Sequence, residues 1–288
     1  MKLCYQVATP DVAIAPSVTA FQGDLEHTFS RLSAIGYDGA ELMTLNPAEL
    51  DWNTVKNTAE RYGLTIPLVC TGEVFGQLGL SFAHRDESIR RAAVDRVKEI
   101  IAFAGFLGAN VNIGRVRGQY SDDIPKEQSY QWAVAALQEI SNSAEKENVK
   151  IAVETVTIMQ TNFINTLEEA VQLVQDVNHP NFGLMMDVFH LNLEEKNIYD
   201  AIWKYRKYNL HVHLADNNRR YPGHCGLDFL KIIQCFRNAG YDGAFSTEIF
   251  QIPDQEKAAQ GAMAYLGPIL KKVYGRPYSP SALEVDIS

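Results

Sequence analysis

Short apolar runs alternate with longer segments in which apolar residues recur every three or four positions, and the alternation continues along nearly the whole chain. The runs predict strands at residues 3–7, 39–42, 65–70, 110–113, 150–154, 182–187, 210–214 and 244–248. The longer segments predict amphipathic helices at residues 24–35, 53–62, 86–107, 126–148, 166–177, 198–205, 228–239 and 254–273. Local stop and start signals agree with these bounds. Asp24 precedes the first helix and Gly36 follows it, while Thr166 with Glu169 three positions on has the pattern of a capping box. Continuous apolar stretches such as Ile151-Ala152-Val153 suit parallel strands covered on both faces. Eight uninterrupted βα units predict a closed (β/α)8 TIM barrel, class α/β, as a single domain over residues 1–276. Residues 277–288, with Pro277 and Pro280, read as a C-terminal tail. An open doubly wound sheet is the competing architecture, but no Gly-x-Gly-x-x-Gly follows the first strand to support nucleotide binding.

Composition narrows this further. The chain has 288 residues, 46% of them hydrophobic and 21% charged, enough to bury a large core in one barrel without disulfides. The net charge of −9 argues against a nucleic-acid partner, which needs a clustered basic surface. Cys4, Cys70, Cys225 and Cys235 form no Cys-x-x-Cys pair, so a zinc ribbon, a redox motif and a secreted disulfide framework are all disfavoured. The first residues read directly into a strand rather than into a signal peptide, and no run approaches the roughly 20 apolar residues that span a bilayer. A cytoplasmic protein without membrane contact is expected.

Candidate chemistry sits where a barrel would use it, at the C-terminal ends of the strands. The fifth strand ends in Glu154, the sixth in Asp187, the seventh in His211-Val212-His213 and the eighth in Glu248. Each follows an apolar run, where an unpaired charge is costly. Taken singly, each has a plainer reading: Asp187 could cap a loop, His213 or His190 could be a hydrogen-bonded core histidine, and Glu154 could pair with Arg219. Together on four successive strand ends, three carboxylates and an imidazole make a hard ligand set for one divalent ion, Mn2+ first, with Mg2+ or Co2+ as alternatives. Side chains alternate along a strand, so His211 and His213 point to one side and only one is expected to reach the ion. An ion chelating a carbonyl and its neighbouring hydroxyl acidifies the adjacent C–H and stabilises a cis-enediolate. Glu154 and Glu248 then form the acid/base pair, giving epimerisation or aldose–ketose isomerisation according to which carbon regains the proton.

Two segments are more specific than any of these single positions. They are Gly183-Leu-Met-Met-Asp187-Val-Phe-His190 and His211-Val-His213-Leu-Ala-Asp-Asn-Asn-Arg219. On these segments, together with Thr161-Asn-Phe-Ile-Asn-Thr166, the chain resembles the xylose isomerase-like barrel superfamily, within it the D-tagatose/D-psicose 3-epimerase group, and most nearly its 5-keto-L-gluconate epimerase-type members. The resemblance implies metal ligation by Glu154, Asp187, His213 and Glu248. It also implies substrate contacts from His190 and Arg219, a carbohydrate-metabolising isomerase, and a homodimer or homotetramer. Gly114-Arg-Val-Arg117-Gly118 makes Arg117 a candidate contact for a substrate carboxylate, the alternative being an ordinary loop arginine. Two departures bear on the substrate. Gln160 stands where a substrate-contacting glutamate is expected, and Pro222-Gly-His-Cys-Gly226 places His224 among the loop residues of the mouth.

Three other functions compete. A metal-dependent lyase, such as a keto-inositol dehydratase or a glycoside-eliminating enzyme, would use the same site, with Gln160 and His224 as the features in its favour. An endonuclease IV-type phosphodiesterase would need more than the seven histidines present and a basic surface. A non-catalytic sugar-binding protein would have no reason to keep every metal ligand.

Overall fold

The computed structural model describes residues 1–277 and closes eight parallel strands into one barrel, β1 to β8 in chain order. The strands are β1 (Lys2–Ala8), β2 (Gly39–Met43), β3 (Leu68–Cys70), β4 (Asn110–Ile113), β5 (Ile151–Glu154), β6 (Phe182–Asp187), β7 (Asn209–Leu214) and β8 (Ala244–Thr247). Between and after them lie α1 (Leu25–Ile35), α2 (Trp52–Arg61), α3 (Gly72–Gly76), α4 (Glu87–Leu107) and α5 (Lys126–Lys146). They continue with α6 (Leu167–Val177), α7 (Val188–Glu194), α8 (Ile198–Tyr205), α9 (Phe229–Asn238) and α10 (Gln255–Tyr274). The expected tail from residue 278 onward lies outside the described residues.

The eight long helices match expectation to within one or two residues, because their ends are set by local chemistry. Asp24, Asp51, Asp86, Asp228 and Asp254 each accept a hydrogen bond from a first-turn backbone amide. The Thr166–Glu169 capping box forms as predicted. The start of β3 differs: residues 65–67 do not belong to the strand, which begins at Leu68 after Pro67, a residue without an N–H to give to a ladder. Two short helices, α3 and α7, stand at the C-terminal ends of β3 and β6. With five and seven residues they are too short to carry a readable apolar period.

The main core lies between the strands and the outer helices, with residues such as Leu42, Val111, Val153, Leu184 and Phe245 fully buried against the helical layer. A smaller apolar cluster includes Leu68, Cys70, Ala152 and Met185. Polar side chains of the strands are buried as well: Gln6, Glu41, Asn112, His211, His213 and Ser246. Among the described residues no helix is long and apolar enough to cross a membrane.

Candidate metal centre and active site

The strand register places the predicted residues on one floor of the barrel. Asp187 of β6 stands opposite His213 of β7, and His213 stands opposite Ser246 of β8, two positions before Glu248. Glu154 closes β5 next to Met185. One ligand atom from each of Glu154, Asp187, His213 and Glu248 lies within 4.8 Å of the others, so the four converge on one point. From His213 Nδ1 the nearest oxygens are Glu248 Oε2 at 3.0 Å, Asp187 Oδ2 at 3.7 Å and Glu154 Oε1 at 3.8 Å. His211, two residues deeper on the same face, turns instead to Glu41 Oε2 (2.9 Å) and Ser246 Oγ (3.0 Å). Strand alternation thus delivers one histidine to the cluster and keeps the other beneath it.

The electrostatics are those of crowded carboxylates with too few donors. Burial and the nearby charge of Glu248 push the Glu154 carboxyl up to about 8. Among the described residues its Oε1 is buried without a hydrogen-bond partner, while Oε2 accepts from Asn112 Nδ2 at 3.3 Å. Burial opposes ionisation of Asp187 too, but the Arg219 guanidinium overrides it and holds that carboxyl well below the usual range. Arg219 bridges two members of the cluster, donating to Asp187 Oδ2 (2.6 Å) and to Glu248 Oε2. The plainer expectation of a Glu154–Arg219 pair is therefore not what forms. Arg219 sits at φ +60°, an uncommon conformation for a non-glycine residue, and its guanidinium lies over the Phe189 ring. Such strain is held by surrounding contacts and often marks a working residue. Asp187 Oδ1 accepts from Phe189 N (2.8 Å), so α7 starts on a member of the cluster. The loop-capping role and the cluster role coexist in one carboxylate. Two buried carboxylates, a partly buried third, an imidazole and an unpartnered oxygen fit a hard divalent cation, whose charge would offset their mutual repulsion.

Residues 29–269 match the family model described as Xylose isomerase-like TIM barrel. The chain belongs to this family. Relatives include a probable ketose 3-epimerase of Synechocystis sp., 25% identical over 83% of each chain. Another is an L-ribulose 3-epimerase of Mesorhizobium japonicum, 24% identical over 86% of this chain and 83% of that one. Among solved structures, a 3-keto-D-glucoside 4-epimerase from E. coli superimposes with a TM-score of 0.78 at 21% identity, covering 93% of this chain and 99% of its own.

Around the cluster this xylose isomerase-like barrel has a cavity of about 340 Å3 whose wall includes Thr19, Glu73, Arg115, Gln160, His190 and Arg219. His190 is buried, and burial lowers its pKa to about 4, so the ring is neutral. Its Nδ1 accepts from Thr157 N (3.1 Å), which leaves Nε2 as the N–H, 3.9 Å from Glu154 Oε1. Gln160 lines the mouth as expected.

Two expected substrate contacts are placed elsewhere. Arg117 is fully buried and donates to the carbonyls of Gly114 (2.7 Å), Phe163 (3.2 Å) and Ile164 (2.9 Å). It clamps the loop after β4 to the loop after β5, and it is absent from the cavity wall. Arg115, two residues earlier, takes the place in that wall, 3.7 Å from Glu73. His224 is exposed and contacts Asn218 (3.2 Å) and Arg220 (3.1 Å), away from the cavity. Its loop is organised by Asp216, whose carboxylate accepts from the amides of Gly223, Cys225 and Leu227. Sequence reasoning missed Glu41, although a glutamate inside the apolar run of β2 was a legible signal. It also missed Arg115, for which an arginine pair two positions apart offers no way to choose.

Proposed function

We propose that this chain is a divalent-metal-dependent carbohydrate epimerase acting on an unphosphorylated keto-sugar or keto-sugar acid. Glu154, Asp187, His213 and Glu248 hold the ion in this reading, and Mn2+ is the preferred one. The observation that carries it is the convergence of these four side chains at the barrel mouth, with one oxygen of Glu154 buried and unpartnered. Relatives named as ketose 3-epimerases support the reaction class.

A divalent ion bound there supplies Lewis-acid polarisation of the substrate carbonyl, which acidifies the neighbouring C–H. Glu154 and Glu248 come from strand ends that are not neighbours in the sheet, so their carboxylates approach the reacting carbon from different sides. One takes the proton from that carbon, the other returns one to the opposite face, and the roles exchange when the reaction runs backward. His190, neutral with its Nε2–H toward the site, donates to a substrate oxygen. Arg219 keeps Asp187 and Glu248 ionised and in place. The cavity wall from Glu73 and Arg115 to Gln160 receives the rest of the sugar.

Incubating Mn2+-loaded protein with a ketose panel in D2O should place deuterium at the inverted carbon. No exchange with any keto-sugar or keto-sugar acid would sink this reading. A lyase is the alternative, and the neutral Gln160 in the cavity wall favours it. Formation of an unsaturated or cleaved product in the same incubation would replace epimerisation by elimination.

A further inference from the structure

Beneath the four converging ligands lies a carboxylate that the reaction does not use. Glu41, from the middle of β2, is fully buried, and among the described residues neither Lys nor Arg pairs with it. Its partners are ring nitrogens and small donors. Oε1 takes His213 Nε2 (2.8 Å), Gln6 Nε2 (3.0 Å) and Cys70 Sγ (2.8 Å), and Oε2 takes His211 Nε2 (2.9 Å). An apolar side chain would fill this layer of the barrel without the desolvation cost of a buried charge.

We propose that Glu41 is a positioning residue for the metal centre. It receives the Nε2–H of His213, which fixes the ring's orientation and tautomer and aims Nδ1 at Glu154, Asp187 and Glu248. The proposal rests on the metal reading above. An imidazole can offer either nitrogen to an ion, and the hydrogen bond made by the other nitrogen decides which.

The test measures Mn2+ binding by the electron paramagnetic resonance signal of free Mn2+, with no turnover involved, in wild type, Glu41→Gln and Ser246→Ala. Loss of the second-sphere carboxylate should weaken Mn2+ binding by about 10- to 100-fold in Glu41→Gln. Ser246→Ala removes a hydrogen bond to His211 from the same layer but spares Glu41–His213, and should bind Mn2+ like wild type. Independently of whether Glu41→Gln folds, long-range 1H–15N spectra of Zn2+-loaded wild type should place the His213 proton on Nε2. Wild-type affinity in a folded Glu41→Gln, a proton on Nδ1 of His213, or two ions per chain with Glu41 as a ligand would each overturn this proposal alone. A wild type that takes up no divalent ion overturns the metal reading and this proposal with it.

Discussion

Replacing Glu154 by glutamine in the metal-free protein tests the central electrostatic claim without any substrate. Glu154 titrates at about 8 in the folded chain against a reference of 4.5, because burial and Glu248 disfavour its charge. Between those two values the folded state holds a proton that the unfolded chain has released. Stability from this group is therefore fully present below about pH 4.5 and is lost as pH rises through about 8, at about 1.4 kcal/mol per pH unit. Integrated over the window, the cost of the charged form is on the order of 5 kcal/mol. Glutamine has nearly the same shape, accepts from Asn112 as Glu154 does, and never ionises. In EDTA, Glu154→Gln should match wild type near pH 4.5 and become the more stable protein by pH 9. Denaturant unfolding of both at pH 4.5, 7 and 9 reads the difference, which includes the response of Glu248, Asp187 and His213 to the lost charge. Excess Mn2+ should reverse the order, because an ion that binds only the folded state stabilises wild type by mass action. A constant difference across pH, or a glutamine variant less stable at pH 9, would refute the reasoning.

Glu248→Gln should lower kcat by about 10²- to 10⁴-fold, the range for loss of one proton-transfer group, and should abolish deuterium incorporation from D2O. Arg117→Ala should lower thermal stability, since three buried carbonyls lose their donor at roughly 1–3 kcal/mol each, whereas Arg115→Ala should raise KM at nearly unchanged kcat and melting temperature. The opposite pattern in those two variants would return the substrate contact to Arg117. His224→Ala, altering an exposed side chain outside the cavity, should leave steady-state kinetics unchanged.

The barrel was legible because its signals are local. Strand periodicity, the aspartate caps and the Thr166–Glu169 box involve residues within a few positions of each other, and they placed all eight long helices and eight strands. The candidate ligands were legible for a related reason: a carboxylate or histidine closing an apolar strand stands out, and the barrel rule says where strand ends go. The short helices α3 and α7 fell below the length at which a period can be read.

What one dimension lacks is the identity of neighbours across the barrel. Arg115 and Arg117 have the same chemistry two residues apart, yet backbone carbonyls 46 and 47 positions away capture Arg117 and leave Arg115 to the cavity. Arg219 was expected to meet substrate, and the fold adds that it already spans Asp187 and Glu248. Pattern along the chain determined the barrel and the residue types at its mouth. Only closure of the strands, which brings Glu41 of β2 against His213 of β7 across 172 positions, decided which histidine faces Glu154, Asp187 and Glu248 and which carboxylate stands behind it.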